Sequence, residues 1–103
     1  MARRLALVLA AAIALPTVAP VALAEPSMAD KSESHALFER AMVEYKKSAY
    51  KDALKLFLAS QDLDPGVGTL LYIGECYKQL GKPASAWGAF KEAASLAQKL
   101  GDK

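Results

Sequence analysis

Leu70-Leu71-Tyr72-Ile73-Gly74-Glu75-Cys76-Tyr77-Lys78-Gln79-Leu80, followed by Gly81-Lys82-Pro83-Ala84-Ser85-Ala86-Trp87-Gly88-Ala89-Phe90, is the stretch that decides the fold. Leu70, Leu71, Ile73, Gly74, Tyr77 and Leu80 recur at the three- and four-residue spacing that lines one face of a helix. Gly81 closes that helix, because glycine tolerates the left-handed conformation on which helices commonly end. Pro83 opens the next, where its missing N–H is no loss in a first helical turn. That helix runs through Ala86, Trp87, Phe90, Ala93, Ala94 and Leu100 to Gly101.

The same grammar extends upstream. Ala53, Leu54, Phe57 and Leu58 predict a helix reaching Leu63, with Ser48 as its N-cap and Asp64-Pro65-Gly66 as its stop. Leu37, Phe38, Ala41, Met42 and Tyr45 predict an earlier helix that ends at Lys46-Lys47-Ser48. Before it, residues 25–34 are polar and lack periodicity, which predicts a disordered lead. Asp30 and Glu33 stand at capping-box spacing near the first helix's start. No segment alternates as a half-buried strand does, so the expected fold class is all-α.

The four helices form two pairs, and the second restates the first. Tyr50, Ala53 and Phe57 are matched by Pro83, Ala86 and Phe90 at one constant offset. A fixed period of this kind is the signature of stacked helical repeats. The pattern resembles the tetratricopeptide repeat (TPR). In the second unit Leu70, Ile73, Gly74, Tyr77, Ala86, Phe90 and Ala93 occupy signature positions. In the first, Leu37, Ala41, Tyr50, Ala53, Phe57, Ser60 and Pro65 do so, while Arg40 and Glu44 stand where leucine and an aromatic are usual. Pro83 and Gln98 also depart from the pattern, and the period is one residue short of the common one.

The strings from Leu63 to Leu71, Cys76-Tyr77 and Gly81 to Trp87 further resemble the N-terminal TPR region of uncharacterised exported bacterial proteins. Longer members continue past the point where this chain stops, which implies a shortened relative or a fragment. The resemblance implies two antiparallel helix-turn-helix hairpins in a short α-solenoid, with unit 1 at residues 35–66, unit 2 at 67–100 and a tail at 101–103. Gly74 with Ala86, and Ala41 with Ala53, would let backbones approach while Phe57 and Phe90 fill the gaps.

The resemblance also places His35, Phe38, Met42, Tyr45, Leu71, Glu75 and Lys78 on a concave face suited to a protein or peptide partner. Phe38, Leu71 and Met42 read equally well as core in so small a chain. Met42 and Glu75 replace the asparagines and lysines with which some TPRs clamp a terminal carboxylate, so that mode is not expected. Trp87, Phe90, Ala94 and Leu100 leave the last helix apolar across part of its surface, which predicts an end face that docks a partner or a second copy.

Chemistry is not expected. His35 is the lone histidine and Cys76 the lone cysteine, too few for a conventional zinc site or an internal disulfide, and Cys76, between Ile73 and Tyr77 on a packed helix, reads as a small hydrophobe. Gly66-Val67-Gly68 lacks the preceding strand and following lysine of a P-loop and reads as a turn. No catalytic, cofactor or metal residue is assigned.

The N-terminus reads as an export signal. Met1-Ala2-Arg3-Arg4 precedes an uncharged run from Leu5 to Ala24, broken by Pro16 and Pro20. Ala22-Leu23-Ala24 forms a small-x-small cleavage pattern before Glu25, so residues 1–24 are expected to be a signal peptide and the product periplasmic or secreted. The alternative is retention as a membrane anchor, since about 20 apolar residues just span a bilayer, which would make the chain a structural subunit of an envelope assembly. Of the 13 basic residues, Arg3 and Arg4 leave with the signal, so eleven face 11 acidic ones. A balanced chain gives no support to nucleic-acid binding or to docking on anionic lipid. What remains is one small domain near the size at which a single core becomes marginal.

Overall fold

A computed structural model describes residues 25–101. Among them are four helices and no strand: α1 (Met28–Lys46), α2 (Tyr50–Leu63), α3 (Val67–Gln79) and α4 (Pro83–Gly101). The protein is all-α, built from helical hairpins in which each helix packs on the next: α1 on α2, α2 on α3 and α3 on α4.

The expected lead at residues 25–34 is largely helix instead, because α1 begins at Met28. Its start is fixed by a capping box just upstream of the expected Asp30–Glu33 pair. The Asp30 N–H donates to Ser27 Oγ at 3.0 Å, and the Ser27 N–H donates to Asp30 Oδ2 at 3.1 Å. Two otherwise free donors are thereby satisfied. A second tie comes from Ser34, buried against α2. Its Oγ donates to the Ser60 carbonyl at 2.8 Å, the Ser60 hydroxyl donates to the Ser34 carbonyl at 2.8 Å, and the two Oγ atoms lie 2.8 Å apart. Apolar periodicity is blind to both devices, which are polar.

Ser48 does not cap α2. It sits past the end of α1 at φ 62, in the left-handed region. The Ser48 N–H reaches the Tyr45 carbonyl at 2.9 Å and the Ala49 N–H reaches that of Glu44 at 2.9 Å, the paired bonds of a Schellman turn. Ala49, with no side-chain bond to give, occupies the N-cap position. The α3–α4 turn repeats this. Gly81 has φ 75, its N–H reaches the Lys78 carbonyl at 3.1 Å, and the Lys82 N–H reaches that of Tyr77 at 2.9 Å. Between the hairpins, Asp64 is extended before Pro65, as a residue preceding proline must be. The Gln61 side chain accepts the Gly66 N–H at 3.0 Å.

The two hairpins therefore match beyond composition. Lys46 and Gln79 end α1 and α3, Tyr50 and Pro83 begin α2 and α4, and Ser48 and Gly81 turn the chain, each pair at the offset already seen between Phe57 and Phe90. The core is made chiefly of small side chains around a few large ones: Ala41, Ala53, Cys76, Ala89 and Ala93 with Phe57, Leu70 and Ile73. Ala41, Ala53, Gly74 and Ala86, the residues expected at close approaches, are all buried. At Gly74 the ring of Phe90 lies directly over the backbone, such that an added Cβ would fall 2.4 Å from Phe90 Cε1.

Candidate functional site

The side chains that join α1 to α3 are aromatic. Phe57 of α2 is fully buried and stacks on Tyr72 of α3, with centroids 5.2 Å apart and planes at 8°. Phe38 of α1 meets both edge-on, at 5.4 Å from Phe57 and 5.8 Å from Tyr72. Tyr45, two turns further along α1, sits 5.2 Å from Tyr72 and 5.6 Å from Tyr50 in the same T-shaped arrangement. Edge-to-face pairs at these separations each add to area burial through ring quadrupoles. The cluster holds α1 and α3 together across α2 and leaves a depression at its rim.

That depression, 320 Å³, is lined by Tyr45, Gly68, Leu71, Tyr72 and Glu75. Gly68 borders open space, where a Cβ would meet nothing within 4 Å. Leu71 is 48 % exposed at its edge. Glu75 is the one charged residue in the lining. Its Oε2 accepts from Gln79 Nε2 at 3.2 Å and lies 3.9 Å from Lys78 Nζ. The Tyr45 hydroxyl is harder to ionise than usual, first because it is partly buried and next because Glu75 is near. Burial and the same carboxylate push the Cys76 thiol up to about 11, and with no exposed surface it packs as a small apolar group.

The residues expected on a concave face are thus divided. Tyr45, Leu71 and Glu75 line one pocket. Phe38 and Met42 are half-buried and pack against the core, as Tyr45 also does, but they are not part of that pocket's lining. His35 is exposed and lies 3.5 Å from Glu39 one turn along α1, and Lys78 is exposed, its Nζ 3.9 Å from Glu75. Tyr72 and Gly68 complete the pocket; in the sequence Gly68 stands out only in the glycine pair that reads as a turn, and Tyr72 does not stand out. The repeat points away from Tyr72, because its counterpart in the first unit is Glu39. The signal that could have found them is helical spacing, since 68, 71, 72 and 75 fall on one face.

The apolar residues of α4 do not form one patch. Trp87 is 66 % exposed and shares a stripe with exposed Ala94, two turns on. The Phe90 ring lies over Gly74 and is only partly exposed. Leu100 is 54 % exposed, but it continues the buried stripe of Ala86 and Ala93 past the end of α3. The reason is rotational: at about 100° per residue, Leu100 stands far around the helix from Trp87.

A larger depression of 520 Å³ lies between α1 and α2, and its lining residues Arg40, Lys55, Glu44 and Asp52 carry no net charge together. No group of three or more metal-ligating side chains comes together among the described residues, and no described helix is long and apolar enough to cross a membrane. The residues expected to form a signal peptide, including Ala24 of the expected cleavage site, lie outside the described residues, as does the tail after Gly101. Glu25, the first described residue, is exposed. Comparison with known protein families, curated proteins and solved structures finds no match to this chain.

Proposed function

We propose that the chain is an exported TPR-like interaction module that holds a protein or peptide segment on the α1/α3 face and carries out no catalysis. The observation that carries this reading is the open pocket between Tyr45, Leu71, Tyr72 and Glu75, set on a rigid aromatic cluster. A half-apolar hollow with a few fixed polar groups suits side-chain recognition. The aromatic packing behind it supplies the preorganisation that limits the entropic cost of binding. Support for the repeat comes from helix ends and turns that coincide between the hairpins at one constant offset. Support for export comes from the basic, apolar, small-residue order of residues 1–24.

The test is site-specific photocrosslinking in the producing cell, with benzoylphenylalanine placed at exposed Leu71 or, as a control, at exposed Lys51 on α2. The expected result is a discrete adduct from position 71 that the control does not give. A Glu75→Arg change in the position-71 variant should abolish the adduct without altering thermal unfolding. Identical adducts from both positions, or none from position 71, would remove the α1/α3 face as the binding surface.

A further inference from the structure

From the make-up of the pocket we infer that its ligand is an arginine side chain presented by the bound segment. The inference rests on the α1/α3 face being the ligand face and adds the chemistry of what enters it. Two tyrosine rings, Tyr45 and Tyr72, meet at 78° with centroids 5.2 Å apart, and Glu75 stands in the same lining. Aromatic faces attract cations through their quadrupole, and the effect grows as the cation loses water. A carboxylate beside them supplies a paired acceptor. A planar guanidinium satisfies both at once, stacking on a ring while its fork of N–H groups meets the carboxylate, which a lysine ammonium cannot do.

The surrounding charges agree. Glu75 is the only charged group in the lining, so the pocket faces its ligand with a negative end. Lys78 is the one cation already near, at 3.9 Å, and its side chain is 66 % exposed. It is therefore a weak, displaceable occupant of the acceptor rather than its permanent partner. Gln79, which also holds Glu75, is neutral and keeps the carboxylate turned along the helix without cancelling its charge.

The test follows amide resonances of the protein in its natively processed form during titration with N-acetyl-arginine amide. N-acetyl-citrulline amide, of the same shape but uncharged, serves as the control. Arginine should shift Gly68, Leu71, Tyr72 and Glu75, and citrulline should need about tenfold higher concentration for equal shifts. Glu75→Gln should erase that difference, and Lys78→Ala should tighten arginine binding severalfold by removing the competitor. Equal responses to arginine and citrulline, no response at residues 68–75, or an unchanged preference in Glu75→Gln would each overturn the inference. A parallel titration with an uncharged leucine-rich octapeptide separates the two levels. If it shifts the pocket resonances and arginine does not, the binding face stands and the arginine assignment falls. If neither ligand shifts them, both fall.

Discussion

At Gly74 the fold leaves no room for a side chain, and the reason lies on another helix. A methyl added there would sit 2.4 Å from the ring of Phe90, far inside van der Waals contact. In an exposed helix the same change would gain about 1 kcal/mol from helix propensity. Here the ring must move from its place between α3 and α4, and overpacking of this kind costs about 1–3 kcal/mol. Gly74→Ala is therefore expected to destabilise by about 1 kcal/mol net in urea unfolding, with Phe90→Leu in the same chain recovering part of the loss. A stabilised Gly74→Ala would show that the ring has space the packing denies it. The first hairpin solves the same problem differently: its counterpart, Ala41, already carries the methyl and is fully buried. The serine pair is local in another sense. Ala93 fills in the second hairpin the place that Ser60 fills in the first, so the hydroxyl bonds to Ser34 belong to this pair of helices and not to the repeat.

Among the elements, the two hairpin turns share one geometry and differ in the residue that adopts it. Ser48 and Gly81 both have positive φ, at 62 and 75. Glycine enters that region freely, whereas a residue with a Cβ meets the following carbonyl at about 1–2 kcal/mol. Ser48 is exposed and its side chain has no hydrogen bond that the turn needs. Ser48→Gly should accordingly raise stability by about 1 kcal/mol, less the extra entropy glycine has in the unfolded chain. Gly81→Ser should lower stability by a similar amount. Calorimetry of the two variants checks both signs, and a Ser48→Gly protein that melts below the parent would mean that the serine makes a contact worth more than the strain. The element ends were only partly legible for the same kind of reason. Pro83 and the Asp64-Pro65-Gly66 stop act through backbone geometry that any context shares, and both fall where expected. The start of α1 and the role of Ser48 turn on which side chain captures which N–H, and two serines at plausible spacing look alike in a string.

For the whole molecule, each helix packs on its neighbour in sequence, so burial is supplied locally and the outer faces of α1 and α4 are left to solvent. Trp87 lies on such a face and is 66 % exposed. Its emission should resemble that of indole in water and change little in wavelength on unfolding, at protein concentrations where the chain is monomeric. A shift to shorter wavelength with rising concentration, accompanied by association in light scattering that Trp87→Ala loses, would reveal a second copy docking on the stripe of Trp87 and Ala94. A blue-shifted spectrum at high dilution would instead contradict the exposure of the indole. Only part of the apolar surface of α4 is in question, because Phe90 is already occupied within the chain.

Fold class and hairpin plan were legible in the string alone. Apolar spacing and the proline and glycine stops act within about one turn of where they stand, and the echo of Tyr50, Ala53 and Phe57 in Pro83, Ala86 and Phe90 needs no coordinates to be seen. Three members of the pocket, Tyr45, Leu71 and Glu75, were legible there too. It took the packed molecule to show that Phe38 and Met42 are half-buried outside that lining, that the Phe90 ring lies over Gly74, and that Tyr72 and Gly68 complete the pocket. Those outcomes depend on the rotation of one helix against another. That rotation is set by how rings from three different helices fit together, and no local pattern encodes it.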